Sequence, residues 1–231
     1  EEREITAYHE AGHAVVSHLL PRARPVRKVT IIPRGMAGGL TWYLDEDQYF
    51  YSEAQFLDLI ASALGGRVAE EIVFGDITTG ASNDLRQITK MARSMVTEYG
   101  MSRAMGARVY GDRQELVFLG RGISEQRDYS DAVAEQIDGE VRQIIDEQYA
   151  RARQILEENR DKLELVAQKL LEFESLEAEE FVALMEGRES GAPGSATPPP
   201  APRRQREPEQ ERGKADWNRP NLDMPPAPSP A

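Results

Sequence analysis

The thirteen residues TAYHEAGHAVVSH, Thr6 to His18, hold all three histidines of the chain. Two of them, His9 and His13, bracket Glu10 in the pattern H-E-x-x-H. On a helix, residues four apart lie about 40° apart around the axis, at ~100° per residue, so both imidazoles project from one face. That span lets both reach a single zinc ion at about 2.0–2.1 Å. Glu10 is turned ~100° from His9, poorly placed as a third ligand and well placed to touch a water held by the metal. This is the division of labour of a zinc peptidase. The metal acidifies its water and polarises the scissile carbonyl, while Glu10 takes the proton and passes it to the leaving amine. The bland alternative is two partly exposed helix histidines. It requires a chance H-E-x-x-H from only three histidines, well below roughly one in a hundred on composition. Gly12, inside the same helix, costs roughly 1 kcal/mol of propensity against alanine, and its bare backbone suits close packing or substrate approach.

A third ligand is harder to find. His18 follows His13 by five residues and His9 by nine, which puts it about 140° and 180° away, on the far side of the helix. It reads as a surface or packing histidine. A metzincin would carry Gly at 16 and His at 19, where this chain has Val16 and Leu19. A thermolysin-like glutamate some twenty residues on is excluded, because no acidic residue lies between Ala14 and Leu44. Distant carboxylates remain: Glu70 and Glu71 in GGRVAEEIVFG, and Asp84 in TTGASNDLRQ. Solvent-facing charge accounts equally well for the glutamates, and first-turn dipole stabilisation for Asp84. Periodicity leaves the choice open.

The elements that must position these residues are legible in the pattern. Ile5, Tyr8, Gly12, Val15, Val16 and Leu19 recur at helical steps, predicting a helix over 3–20 that Pro21 and Pro25 end. VRKVTIIP (26–33) and GGLTWYL (38–44) read as two strands of a small sheet. Ser52 and Gln55 form a capping box opening a helix to about Phe74, stopped by Gly75. A loop over 75–83 leads to a helix over 84–100 with Gly100 at its end, then a mixed stretch containing LVFLG (116–120). Ser130 to Glu186 is helical almost throughout, with breaks near Asn159 and Ser175. The fold class is mainly α, a multihelical zinc-peptidase domain with a small β-sheet over 1–187, followed by a disordered Pro-rich tail over 188–231.

Eleven of the 14 prolines fall after residue 190, so the tail cannot bury enough surface to offset its ordering entropy. Its PPPAP run fits a polyproline ligand, but a solvated tail is the simpler reading. The net charge of −12 belongs to the part before the tail and argues against nucleic acid, which demands a surplus of cations. With no cysteine, disulfides and thiolate zinc sites are excluded. No apolar run approaches the roughly 20 residues of a membrane span, and no secretory signal opens the chain. Glu1 leads almost at once into the motif, which reads as a fragment of something longer.

TAYHEAGHAVV, KVTIIPRG, LGGRVAEEIVFG, TTGASNDLRQITKMARSMVTEYGMS and VFLGR, in this order, closely resemble the peptidase domain of the FtsH family over roughly 3–186. These are membrane-anchored, ATP-dependent zinc metalloproteases of the AAA+ class. The resemblance implies that His9 and His13 bind one zinc, that Asp84 completes the ligand set and that Glu10 is the base. Glu70 and Glu71 then become candidates to support the zinc histidines from outside. It also implies a homohexamer on the cytoplasmic face of a bacterial inner membrane, in which an ATPase ring delivers unfolded membrane and soluble proteins. No G-x-x-x-x-G-K-[ST] is present, so ATP and Mg would act only through an ATPase module absent from this chain. The alternative is a catalytically silent assembly or docking ring of the same fold, and the intact Glu10 weighs against it.

A processive protease gains from recognising backbone. An extended peptide added to a sheet edge makes main-chain hydrogen bonds whatever its side chains. Gly39, Leu40, Thr41 and Trp42 are the expected receiving strand, a role compatible with Trp42 and Leu44 packing on the core.

Overall fold

The computed structural model describes residues 1–33, 39–43, 50–111 and 129–188. Helix α1 (Glu2–Leu19) is the central element, buried without interruption from Ala7 to Ser17. Its composition explains the position. Ala7, Ala11, Gly12 and Ala14 present little side chain, so neighbours approach on several sides, while Val15 and Val16 anchor the apolar core.

Helix α2 (Glu53–Phe74) opens with the anticipated capping box, Ser52 and Gln55 exchanging side-chain bonds with each other's backbone N–H. It closes on Gly75 at φ +68°, the left-handed conformation glycine adopts freely. α2 packs lengthwise on α1, and the two backbones touch: a Cβ at Gly12 would lie 2.3 Å from Gly65 O. The glycine in the motif helix therefore serves close packing.

A 3₁₀ turn at Thr79–Ala81 winds directly into α3 (Ser82–Thr97), which begins two residues before the expected start because Ser82 is already helical. α3 ends at Thr97, three residues before the expected Gly100, which follows at φ +61° and turns the chain, with Met101 N–H donating to Met95 O at 2.8 Å. Helix α4 (Asp131–Glu158) is capped by Ser130 and lies along α2 and α3. Asn159 breaks the rod, and α5 (Arg160–Phe173) folds back against α1. The second expected break, near Ser175, is a short strand β3 (Ser175–Glu177) leading into α6 (Ala178–Met185).

β3 was invisible to periodicity, since three residues cannot display an alternation. It pairs with β1 (Val26–Thr30), whose other edge takes β2 (Leu40–Tyr43), giving an antiparallel order β2-β1-β3. Val29 faces Thr41 on one side and Leu176 on the other. Among the described residues β2 is therefore an edge strand. Ile60, Leu64, Leu156, Leu163, Leu170 and Phe181 fill the core between sheet and helices. Each such burial contributes about 1.5–3 kcal/mol before conformational entropy is set against it. LVFLG, Leu44 and the tail from residue 189 on lie outside the described residues. No helix among those described is long and apolar enough to cross a membrane.

Candidate metal centre

His9 and His13 point from buried turns of α1 toward one stripe of α2 made by Ser62, Gly66 and Glu70, residues four apart. Each member of the stripe has a task. Glu70 Oε1 takes the hydrogen of His9 Nδ1 at 2.6 Å, and Ser62 O takes that of His13 Nδ1 at 2.9 Å. A carbonyl only accepts, so Nδ1 of His13 carries its hydrogen, and both Nε2 lone pairs face inward. Gly66 supplies the space: a Cβ there would sit 2.6 Å from both Nε2 atoms.

The two inward nitrogens are 3.0 Å apart, and Asp84 Oδ2 lies 3.4 Å from His9 Nε2 and 3.6 Å from His13 Nε2. Two lone pairs and a carboxylate repel one another at such range unless a cation joins them. The separations also have the right size. Ligands held at about 2.05 Å in a tetrahedron stand about 3.3 Å apart, in the middle of the observed range. His9, His13 and Asp84 form a possible metal site, their ligand atoms all within 4.8 Å of one another, and the donor set of two imidazoles and a carboxylate fits zinc.

Asp84 arrives by way of the Thr79–Ala81 turn and the first turn of α3. Glu70 ties this approach to α1, because its second oxygen, Oε2, accepts from Thr78 N–H at 2.8 Å while Oε1 holds His9. Thr78 Oγ1 in turn accepts from Gly80 N–H at 3.1 Å. One buried carboxylate thus sets the orientation of His9 and the path of the turn that leads to Asp84. Glu71, on the next face of α2, accepts from Arg153 Nη1 of α4 at 3.1 Å, and neither histidine Nδ1 turns to it. Sequence reasoning kept both glutamates. The signal separating them was Gly66, four residues before Glu70 and on the same face.

The electrostatics match a cation-binding site. Burial disfavours the imidazolium of His9, but hydrogen bonds to Asp84 and Glu70 and the charge of Glu10 outweigh it, pushing its pKa up to about 9. Burial works against the Asp84 carboxylate too, yet contacts with His13 and His9 hold it well below the usual range. Glu70 is likewise lowered by His9 and Thr78 N–H despite its burial. Positive charge is welcome between these groups, and a proton occupies that role when no metal does.

Glu10, also buried, accepts from Thr41 Oγ1 of β2 at 2.7 Å. The sequence marked Thr41 only as part of a strand that could receive substrate. Its bond to Glu10 links two elements whose pairing no local pattern reveals. Gly39 and Leu40 flank it on the same run, and Trp42 is half-exposed. His18 is exposed on the other side of α1, its ring edge-on to Phe181 with centroids 5.5 Å apart.

Glu70→Ala is expected to weaken zinc binding about 10–100-fold, the range for losing an outer partner of a metal histidine, and Glu70→Gln less. Competition with a chromogenic chelator measures it. Wild-type affinity in the alanine variant would strip Glu70 of this role.

A family model for peptidase family M41 matches residues 1–184. The ATP-dependent zinc metalloprotease FtsH of Chloroflexus aggregans is 55% identical over 185 residues, covering 78% of this chain and 28% of the relative. FtsH 1 of Sphaerobacter thermophilus is 53% identical over 186 residues, covering 80% and 28%. FtsH of Bacillus subtilis is 52% identical over 188 residues, covering 80% and 30%. The chain thus spans less than a third of the length of these relatives. With a model match running from the first residue into α6 and half the aligned residues identical to these relatives, the chain belongs to peptidase family M41.

Proposed function

We propose that this chain is the zinc-dependent endopeptidase part of a membrane-anchored, ATP-dependent protease, cutting unfolded membrane and soluble polypeptides. The observation that carries the reading is the convergence of His9 Nε2, His13 Nε2 and Asp84 Oδ2 on one point beside a buried glutamate. His9, His13 and Asp84 would hold the zinc. Bound there, zinc would supply Lewis acidity, polarising a scissile carbonyl and making a water acidic near neutral pH. Glu10 is the general base: it accepts the proton of the attacking water and returns it to the departing amine nitrogen. Glu70 and the Ser62 carbonyl keep both imidazoles in the tautomer that presents Nε2 inward. β2, with Gly39, Leu40, Thr41 and Trp42, offers an edge to which an extended substrate backbone can add.

Assembly as a homohexamer, a place at the cytoplasmic face of a bacterial inner membrane, and delivery of substrate by an ATPase module using ATP and Mg belong to the same proposal. Their support is the resemblance and the ATP-dependent relatives, of whose length this chain spans less than a third. The test is elemental analysis together with casein degradation by a full-length version in ATP. The expected result is stoichiometric zinc, loss of cleavage on chelation and return on adding zinc. A folded protein that binds no metal, or cleavage indifferent to chelator, would refute the proposal.

A further inference from the structure

β2 approaches α1 at Glu10 more closely than an ordinary strand could. A Cβ at Gly39 would fall 2.7 Å from Glu10 Cγ, 2.8 Å from its Oε1 and 2.8 Å from Thr6 Cγ2, so any other residue there would push the Glu10 side chain aside. Two residues on, the Thr41 hydroxyl has one hydrogen and two acceptors in reach, Glu10 Oε2 at 2.7 Å and the Glu10 carbonyl at 3.3 Å. The shorter bond, to a carboxylate, takes it. Both side chains are buried. Glu10 is thereby held on both sides, Oε2 by a hydrogen bond and Oε1 by contact with the strand. A glutamate left free carries about 1.5–2 kcal/mol of rotamer freedom and spends much of its time away from any one position. A base so confined meets its proton from a fixed place, and misplacement by 1 Å can cost about 100-fold in rate.

We propose that Thr41 is a positioning residue: its hydroxyl orients the Glu10 carboxylate for proton transfer, with Gly39 setting the approach of the strand. The inference rests on Glu10 being the base. It also gives β2 two tasks, since the edge offered to substrate and the strap on the base are one strand. Base and scissile bond are then held to a common reference.

Zinc-loaded protein and a short quenched-fluorescent peptide supply the test, with metal-free crystals as a readout independent of turnover. Thr41→Val should lower kcat about 10–100-fold with KM within about twofold, whereas Thr41→Ser should keep kcat within about threefold of wild type. In metal-free Thr41→Val crystals the Glu10 carboxylate should leave its place while His9, His13 and Asp84 stay. Added to Glu10→Gln, Thr41→Val should have no further effect, as expected of two residues acting through one group. Wild-type kcat in Thr41→Val, or a serine variant as slow as the valine, would overturn the proposal. If valine prevents folding, Thr41→Ala against Thr41→Ser decides by the same criterion. An active Glu10→Gln would instead bring down the base assignment beneath it, and the two failures are thus distinct.

Discussion

Glu10→Gln is expected to lower kcat for peptide cleavage about 10²–10⁴-fold, the contribution of a general base, while zinc content stays full. The amide keeps the shape of the side chain, and its oxygen can still accept from the Thr41 hydroxyl, so the bond now 2.7 Å long has a successor. What disappears is the capacity to take a proton. The groups that would hold zinc are untouched, because His9 and His13 are fixed through Nδ1 by Glu70 and the Ser62 carbonyl. Plasma emission for zinc and initial rates on a quenched peptide, run on one preparation, separate the two effects. Rates equal to wild type would end the assignment of Glu10 as base. A slow variant that had also lost its zinc would show Glu10 to be structural.

Much of this site could be read from local spacing. His9, Glu10 and His13 needed only helical geometry, and α2 announced both of its ends through Ser52, Gln55 and Gly75. The remaining parts depend on which elements meet. Asp84 stands in a first helical turn, where an acidic residue stabilises the helix dipole whatever else it does, so its second task left no local mark. Family resemblance, not periodicity, selected it. Thr41 fits a β-branched strand position as well as it fits its bond to Glu10, and β3 pairs with a strand far earlier in the chain. Choosing between Glu70 and Glu71 required knowing which face of α2 meets α1. A helix apolar on most sides states that weakly, and the paired glycines at 65 and 66 state it better.

Gly12 and Gly66 make different predictions for one substitution. At Gly12 an added Cβ would meet backbone, 2.3 Å from Gly65 O and 2.8 Å from Gly65 C, so α1 and α2 must part along their length. Overpacking of this kind costs about 3 kcal/mol at its upper end, which for a domain of this size lowers Tm by roughly 6–12 °C. At Gly66 the atoms nearest the Cβ would belong to side chains, the Nε2 atoms of His9 and His13 at 2.6 Å and His9 Cε1 at 2.7 Å. The imidazoles can turn aside without separating the helices, but turning breaks their bonds to Glu70 and Ser62 and points the lone pairs away from Asp84. Alanine also gains roughly 1 kcal/mol over glycine inside a helix. Set against the buried bonds it breaks, that gain leaves zinc affinity as the decisive readout: Gly66→Ala should lose it by more than the about 10–100-fold due to an outer partner. Gly12→Ala should melt early in either state. Thermal scans with and without chelator, beside zinc titration of each variant, measure both. Zinc affinity at the wild-type level in Gly66→Ala would mean that the bare backbone beneath the two histidines is not what makes room for the ion.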